Sequence, residues 1–146
     1  MIETRLEWNG PQVEAEIRRT AGEAIVRATV YLWQQCRQAV GEPNSGERRK
    51  HRTKKTKSGR PASYTVYPHP SREGDPPRKR TGWLQNNIVY EVIGTVGSPV
   101  GRVGVRENAI YGAYLELGTR RMKPRPWLLA TARKYFIQLQ AIVTGG

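Results

Sequence analysis

Few residues in this chain have the types and spacing that chemistry needs, and most of those lack the partners it requires. His51 and His69 lie far apart, with no cysteine or carboxylate cluster nearby, so the ligand spacing of a metal site is missing. Cys36 is the single cysteine and falls inside a helical pattern without a nucleophile motif, which suits a small core residue. It excludes a disulfide framework and fits assembly in a reducing cytoplasm. The glycines from Gly94 to Gly104 are followed by neither Gly-Lys-Ser nor Gly-Lys-Thr and do not form a dinucleotide fingerprint, so they suit a hairpin. No Gly-x-Ser-x-Gly elbow occurs. The expectation is a protein without cofactor or metal that is not an enzyme.

Glu116 is the one acid in a basic neighbourhood that includes Arg120, Arg121, Lys123 and Arg125. General acid or base work would need a second titratable group in a pocket, and the sequence offers none. The expectation is a pairing of Glu116 with an arginine of its own or a neighbouring subunit. Tyr111, Tyr114 and Leu115, three and four apart, suit a short helix that presses all three on a core, and Trp127 is expected there too. Trp83 would face away from Leu84 and Ile88, which leaves subunit contact and simple packing equally open.

The elements that would position these residues follow from pattern. At 146 residues with a net charge of +13, one domain spanning residues 1–146 is expected. Residues 2 to 8 alternate loosely, as a short strand would. From Gln12 to Val40, the residues Val13, Ile17, Ala21, Ala24, Ala28, Leu32, Cys36 and Ala39 form one stripe of a long amphipathic helix, closed by Gly41 and Pro43. Residues 42–80 form a long connection. Within it, Glu47 to Arg80 carries twelve Lys or Arg against three acids. Arg48, Arg49, Lys50, Arg52, Lys54, Lys55, Lys57 and Arg60 crowd thirteen positions without a large apolar residue, a composition that alone would stay unfolded. Ala62 to Tyr67 alternates enough for one arm of a protruding hairpin.

After the connection, Thr81 can cap a single helical turn whose Leu84 and Ile88 point inward together. Val89 to Val96 and Val100 to Arg106 read as strands around a Gly97-Ser98-Pro99 turn, with Val103 and Val105 on one face. Asn108 opens the short helix and Gly118 ends it, followed by a basic turn from Thr119 to Lys123. Pro124 and Pro126 fix the chain direction before a closing helix that runs from Trp127, Leu128, Leu129 and Ala132 through Tyr135, Phe136 and Leu139 to Val143. The sum is an α+β fold: a long N-terminal helix, a small antiparallel sheet, a short helix and a C-terminal helix, with a long basic loop or hairpin extension. No run reaches the length of a membrane span, and MIETRLEWNG lacks the order of a secretion signal, so a soluble, unexported protein is expected.

Two of these stretches resemble a family signature. Thr81-Gly82-Trp83-Leu84-Gln85-Asn86-Asn87-Ile88 is similar to the Thr-Gly-x-Leu-x-x-Ser-Ile pattern of neck and tail-completion proteins of long-tailed bacteriophages, with Asn87 departing from it. Tyr111, Glu116, Gly118 and Thr119, then Arg125, Pro126, Trp127 and Leu128, resemble the same family's second motif. Gly112 stands where alanine is usual, a swap expected to weaken the short helix by roughly 1 kcal/mol. Trp127 stands where phenylalanine is common. Ser71 to Pro77 is similar to a Ser-x-x-Gly-Glu-Pro-Pro element of those proteins.

The resemblance covers Ser71 to about Ala132 and implies a structural virion protein at the head–tail junction, assembled in the host cytoplasm. Such a subunit would form a homo-oligomeric ring that meets the head connector or head-closure protein and the tail. The turn with Arg120, Arg121 and Lys123 would then lie at contacts between subunits or rings. Nothing in the family pattern explains the basic arm. Packaged DNA, contacted without sequence preference, acidic neighbours, or solvent remain its alternatives. A tail terminator and a sequence-independent DNA-binding protein are the rival functions.

Overall fold

The computed structural model describes residues 10–41, 50–66, 71–79, 81–95 and 97–145, and the fold class is α+β. The helical stripe produces α1 (Gly10–Gly41), 32 residues that at 1.5 Å each reach about 48 Å. Only its second half is covered. Ala24, Ala28, Thr29, Cys36 and Val40 are buried, whereas residues 11–21 are all exposed. Val13, Ile17 and Ala21 therefore do not join the core as their spacing predicts: the buried positions of α1 begin only at Ala24. Glu14 with Arg18, and Arg19 with Glu16 at 2.6 Å and with Glu23 at 3.6 Å, line this exposed part. Such pairs add a few tenths of a kcal/mol each.

The strands β1 (Lys50–Lys55) and β2 (Pro61–Val66) pair antiparallel from Lys50↔Val66 to Lys55↔Pro61. The charge run, expected unfolded by itself, thus supplies a strand. A turn explains how: Thr56 N–H donates to the Arg60 carbonyl at 2.9 Å, Gly59 N–H donates to the Thr56 carbonyl at 2.9 Å, and Gly59 takes φ +75° without a Cβ penalty. The second arm runs from Pro61 to Val66, one residue earlier at each end than the pattern suggests.

After α2 (Trp83–Asn87), β3 (Ile88–Thr95) and β4 (Ser98–Val105) form a separate two-stranded sheet, paired from Ile88↔Val105 to Thr95↔Ser98. Ser98 and Pro99 lie in β4 rather than in the turn. Then come a short 3₁₀ turn (Glu107–Ala109), α3 (Tyr111–Leu117), α4 (Leu128–Lys134) and α5 (Phe136–Thr144). The closing helix is split at Tyr135, whose φ of −104° and ψ of 15° interrupt it. No proline or glycine explains the break. The Tyr135 ring instead meets Tyr31 of α1 edge-on at 5.9 Å.

The core is Cys36 and Val40 of α1, Ile88 of β3, Leu115 of α3 and Trp127, with Leu32, Leu84, Val103, Val105 and Leu128 packed on it. Val103 and Val105 face inward as their alternation predicts. At Gly101 an added Cβ would lie 1.8 Å from the Thr29 hydroxyl, so α1 crosses β4 at a point that only glycine admits. Among the described residues no helix is long and apolar enough to cross a membrane. The strand expected at residues 2 to 8 lies outside the described residues.

Candidate functional site

The two motif stretches come together in space, and the contacts between them are specific. Gly82 has φ +83° and begins α2, and the Thr81 hydroxyl accepts the Trp83 N–H at 3.2 Å. Leu84 and Ile88 then reach the core as expected. Asn87, the departure from the first motif, is buried and donates from Nδ2 to the Trp83 carbonyl at 2.8 Å, while its own backbone carbonyl accepts the Arg106 N–H at 3.1 Å. A buried amide with a partner of this kind costs little to desolvate.

In the second motif, Leu115 and Trp127 are almost wholly buried, at 1% and 2% exposure. The Trp127 indole N–H donates to the Gly112 carbonyl at 3.0 Å. Tyr111 and Tyr114 do not join them: they are 52% and 47% exposed. The buried stripe of α3 is Gly112 and Leu115 instead, turned one position from the tyrosines. A Cβ on Gly112 would lie 2.7 Å from Leu84 Cδ1 and 2.8 Å from Val105 Cγ1. The bare glycine lets these two side chains cover α3, which outweighs its poor helix propensity.

Glu116 corrects the sequence reading most sharply. Its carboxylate pairs with no arginine among the described residues. Oε2 accepts the N–H groups of Trp127 and Leu128 at 2.7 and 2.9 Å, and Oε1 accepts that of Leu129 at 2.9 Å. These are the otherwise unpartnered donors at the start of α4. A negative charge there also meets the positive end of the helix dipole. The residues just ahead of α4 are Arg125, Pro126 and Trp127, none of which has a capping oxygen, and that is the signal by which a remote acceptor could have been found. Both prolines precede α4, and the helix begins at Leu128, one residue after the expected Trp127.

Gly118, at φ +75°, closes α3 as expected, and Thr119 pairs with Met122, its N–H donating at 2.7 Å to the Met122 carbonyl. Arg120 and Arg121 are exposed. Lys123 donates to Glu73 at 2.8 Å, and that hydrogen bond, then the Glu73 charge, raises the lysine's pKa. The Gly74 N–H donates to the Pro124 carbonyl at 3.2 Å, so the Ser71 to Pro77 element is seated against the basic turn. The Arg125 N–H donates to the Leu115 carbonyl at 2.6 Å.

Cys36 is buried, and burial, followed by the Glu116 charge, pushes its thiol up to about 12, against a hydrogen bond with Thr131 that acts the other way. It is a thiol at neutral pH, without the lowered pKa of a nucleophile. Among the described residues no cluster of three His, Cys, Asp or Glu could hold a metal.

Among the exposed surfaces of the described residues, two hold residues expected to meet partners. On α3 and the residue that precedes it, Ile110, Tyr111, Tyr114 and Leu117 form an exposed apolar strip, with Leu117 80% exposed, and Trp83 on α2 is exposed as well. On the hairpin, Lys54, Lys55, Lys57 and Arg60 are exposed. Lys50 and Arg52 lie in β1, and Arg48 and Arg49 fall outside the described residues. The chain matches no protein-family model, no curated protein and no solved structure.

Proposed function

We propose that the chain is a non-enzymatic structural subunit of a tailed-phage particle, of the neck or tail-completion kind, acting as one copy of a ring at the head–tail junction. The observation that carries this reading is the strip Ile110, Tyr111, Tyr114 and Leu117 at α3, an apolar face that stands exposed among the described residues. Val13 and Ile17, exposed on the uncovered half of α1, form a second such surface. Two different apolar faces on one subunit suit heterologous contacts, which close into rings. The two stretches that resemble the phage family lie in the folded body that supports the strip, and Arg120 and Arg121 stand exposed beside it in the turn after α3. A head connector or head-closure protein and a tail protein are the partners on this reading, and the virion is the location.

The decisive experiment is electron microscopy of lysates from infections lacking this chain. Free filled heads beside tails of normal length are the expected result. Abnormally long tails would assign the chain to tail termination, and intact infectious particles would overturn the structural role.

A second reading rests on the hairpin. Residues 50–66 contain no Asp or Glu, and the exposed Lys54, Lys55, Lys57 and Arg60 offer a polyanion phosphate contacts without base readout. Duplex DNA passing through a junction is such a polyanion. A protein whose main task is DNA binding would bind duplex tightly, with steep salt dependence, and its loss would leave particles intact.

A further inference from the structure

A pocket of about 440 Å³ lies where the end of α1, α2 and the start of α3 meet. Its apolar lining includes Val40, Leu84 and Leu115, and the half-exposed rings of Trp83 and Tyr111 border it. All of its charged side chains are cations, Arg78, Lys79 and Arg125, and among the described residues no acid lines it. The pocket wall also holds two buried polar atoms without a hydrogen-bond partner among the described residues, Ser71 Oγ and Arg125 Nε. Ser71 is 4% exposed, so an acceptor in the pocket reaches its hydroxyl only when the side chain turns towards it. Folded proteins leave few such atoms, and two in one pocket wall mark where an outside acceptor belongs.

The chemistry of that acceptor follows from the lining. A guanidinium Nε–H and a serine hydroxyl both donate to a carboxylate, and the cations around them favour its charge. An inorganic anion would satisfy these groups but leave the apolar wall facing solvent. We propose that this pocket takes a peptide segment of a partner protein in which a carboxylate stands beside an apolar side chain. The carboxylate meets Arg125 and Ser71, and the apolar side chain lies against Leu84, Trp83 and Tyr111. The occupant is argued from charge complementarity and goes beyond the structural-subunit reading without depending on it.

The test is a titration followed by NMR of the Trp83 indole and the backbone amides around Ser71 and Arg125. Its probes are the blocked peptide acetyl-Ala-Leu-Glu-Leu-Ala-amide, the same peptide with glutamine in place of glutamate, and inorganic phosphate. The expected result is saturable shifts with the glutamate peptide, weakened about tenfold by the glutamine swap and by Arg125→Gln, as for loss of one charge-assisted hydrogen bond. Trp83→Ala, at an exposed position, weakens the peptide but not phosphate. Phosphate binding as tightly as the peptide overturns the proposal in favour of a bare anion site. Absence of saturable shifts in the folded chain, or equal binding of both peptides, overturns it outright. Folding of each variant is read from the rest of the same spectrum.

Discussion

The body from α2 to α4 and the β1–β2 hairpin are both short stretches of the same chain, yet they are held by different kinds of force. In the body, contacts are remote in sequence: Glu116 caps a helix eleven residues on, Trp127 reaches back to Gly112, and Trp33 of α1 donates to the Ile88 carbonyl at 2.9 Å. In the hairpin, the bonds run between its own arms and across its own turn. Remote contacts over a dry core make a scaffold whose parts cannot change singly. A self-paired ribbon with an exposed basic surface can vary residue by residue, and its selection must come from outside the fold.

The contrast is tested hardest at Trp127. Trp127→Ala removes the largest fully buried side chain and the bond to Gly112, and should cost about 3–5 kcal/mol in urea denaturation. A cost below about 1 kcal/mol would mean that the second motif is not the joint of the scaffold. Glu116→Ala should follow at about 2 kcal/mol, because three helix-start donors lose a charged acceptor. Glu116→Gln keeps an acceptor oxygen and should lose about half as much. If Glu116 were paired with an arginine, the glutamine variant would instead lose nearly the whole effect.

Gly112→Ala sharpens the comparison by setting two effects against each other. Helix propensity favours alanine by about 1 kcal/mol, whereas forcing a methyl against Leu84 and Val105 costs about 1–3 kcal/mol. The geometry predicts a net loss of about 1 kcal/mol, visible as a lower urea midpoint, where propensity alone predicts a gain. Cys36 gives a pH-dependent check. Its folded pKa of about 12 lies above the 9.0 of an ordinary thiol, so the unfolded chain ionises first. The stability it contributes is complete below pH 9.0 and is lost as pH rises towards 12. At pH 8, a thiol reagent should label the denatured chain quickly and the native one far more slowly.

The helices and strands were legible wherever one residue's period shows its face, as in α1, β3 and β4. The site was less so. Tyr111, Tyr114 and Leu115 carry the stronger apolar spacing, but the packing face runs through Gly112, and a glycine leaves no mark in a hydrophobic pattern. Charges adjacent in sequence suggested an arginine for Glu116, while its actual partners are backbone N–H groups that every sequence has. In the hairpin, the lysines of β1 left a loop or a hairpin open, and the turn from Thr56 to Arg60 selects the hairpin. Composition counts residues, whereas a turn bond counts position.

The smallest expected effect on stability falls at the hairpin, and there it is the absence of effect that discriminates. Replacing Lys54, Lys55, Lys57 and Arg60 together by glutamine removes four exposed cations that lie outside the core. The urea midpoint should stay within about 0.5 kcal/mol of the parent. If DNA is the hairpin's partner, the slope of log affinity against log salt should become shallower by up to roughly 0.9 for each phosphate that is no longer neutralised. If acidic neighbours in a ring are the partner, duplex affinity should hardly change and assembly should fail instead. A marked loss of stability would break the comparison itself, since it would show that the ribbon is packed into the scaffold.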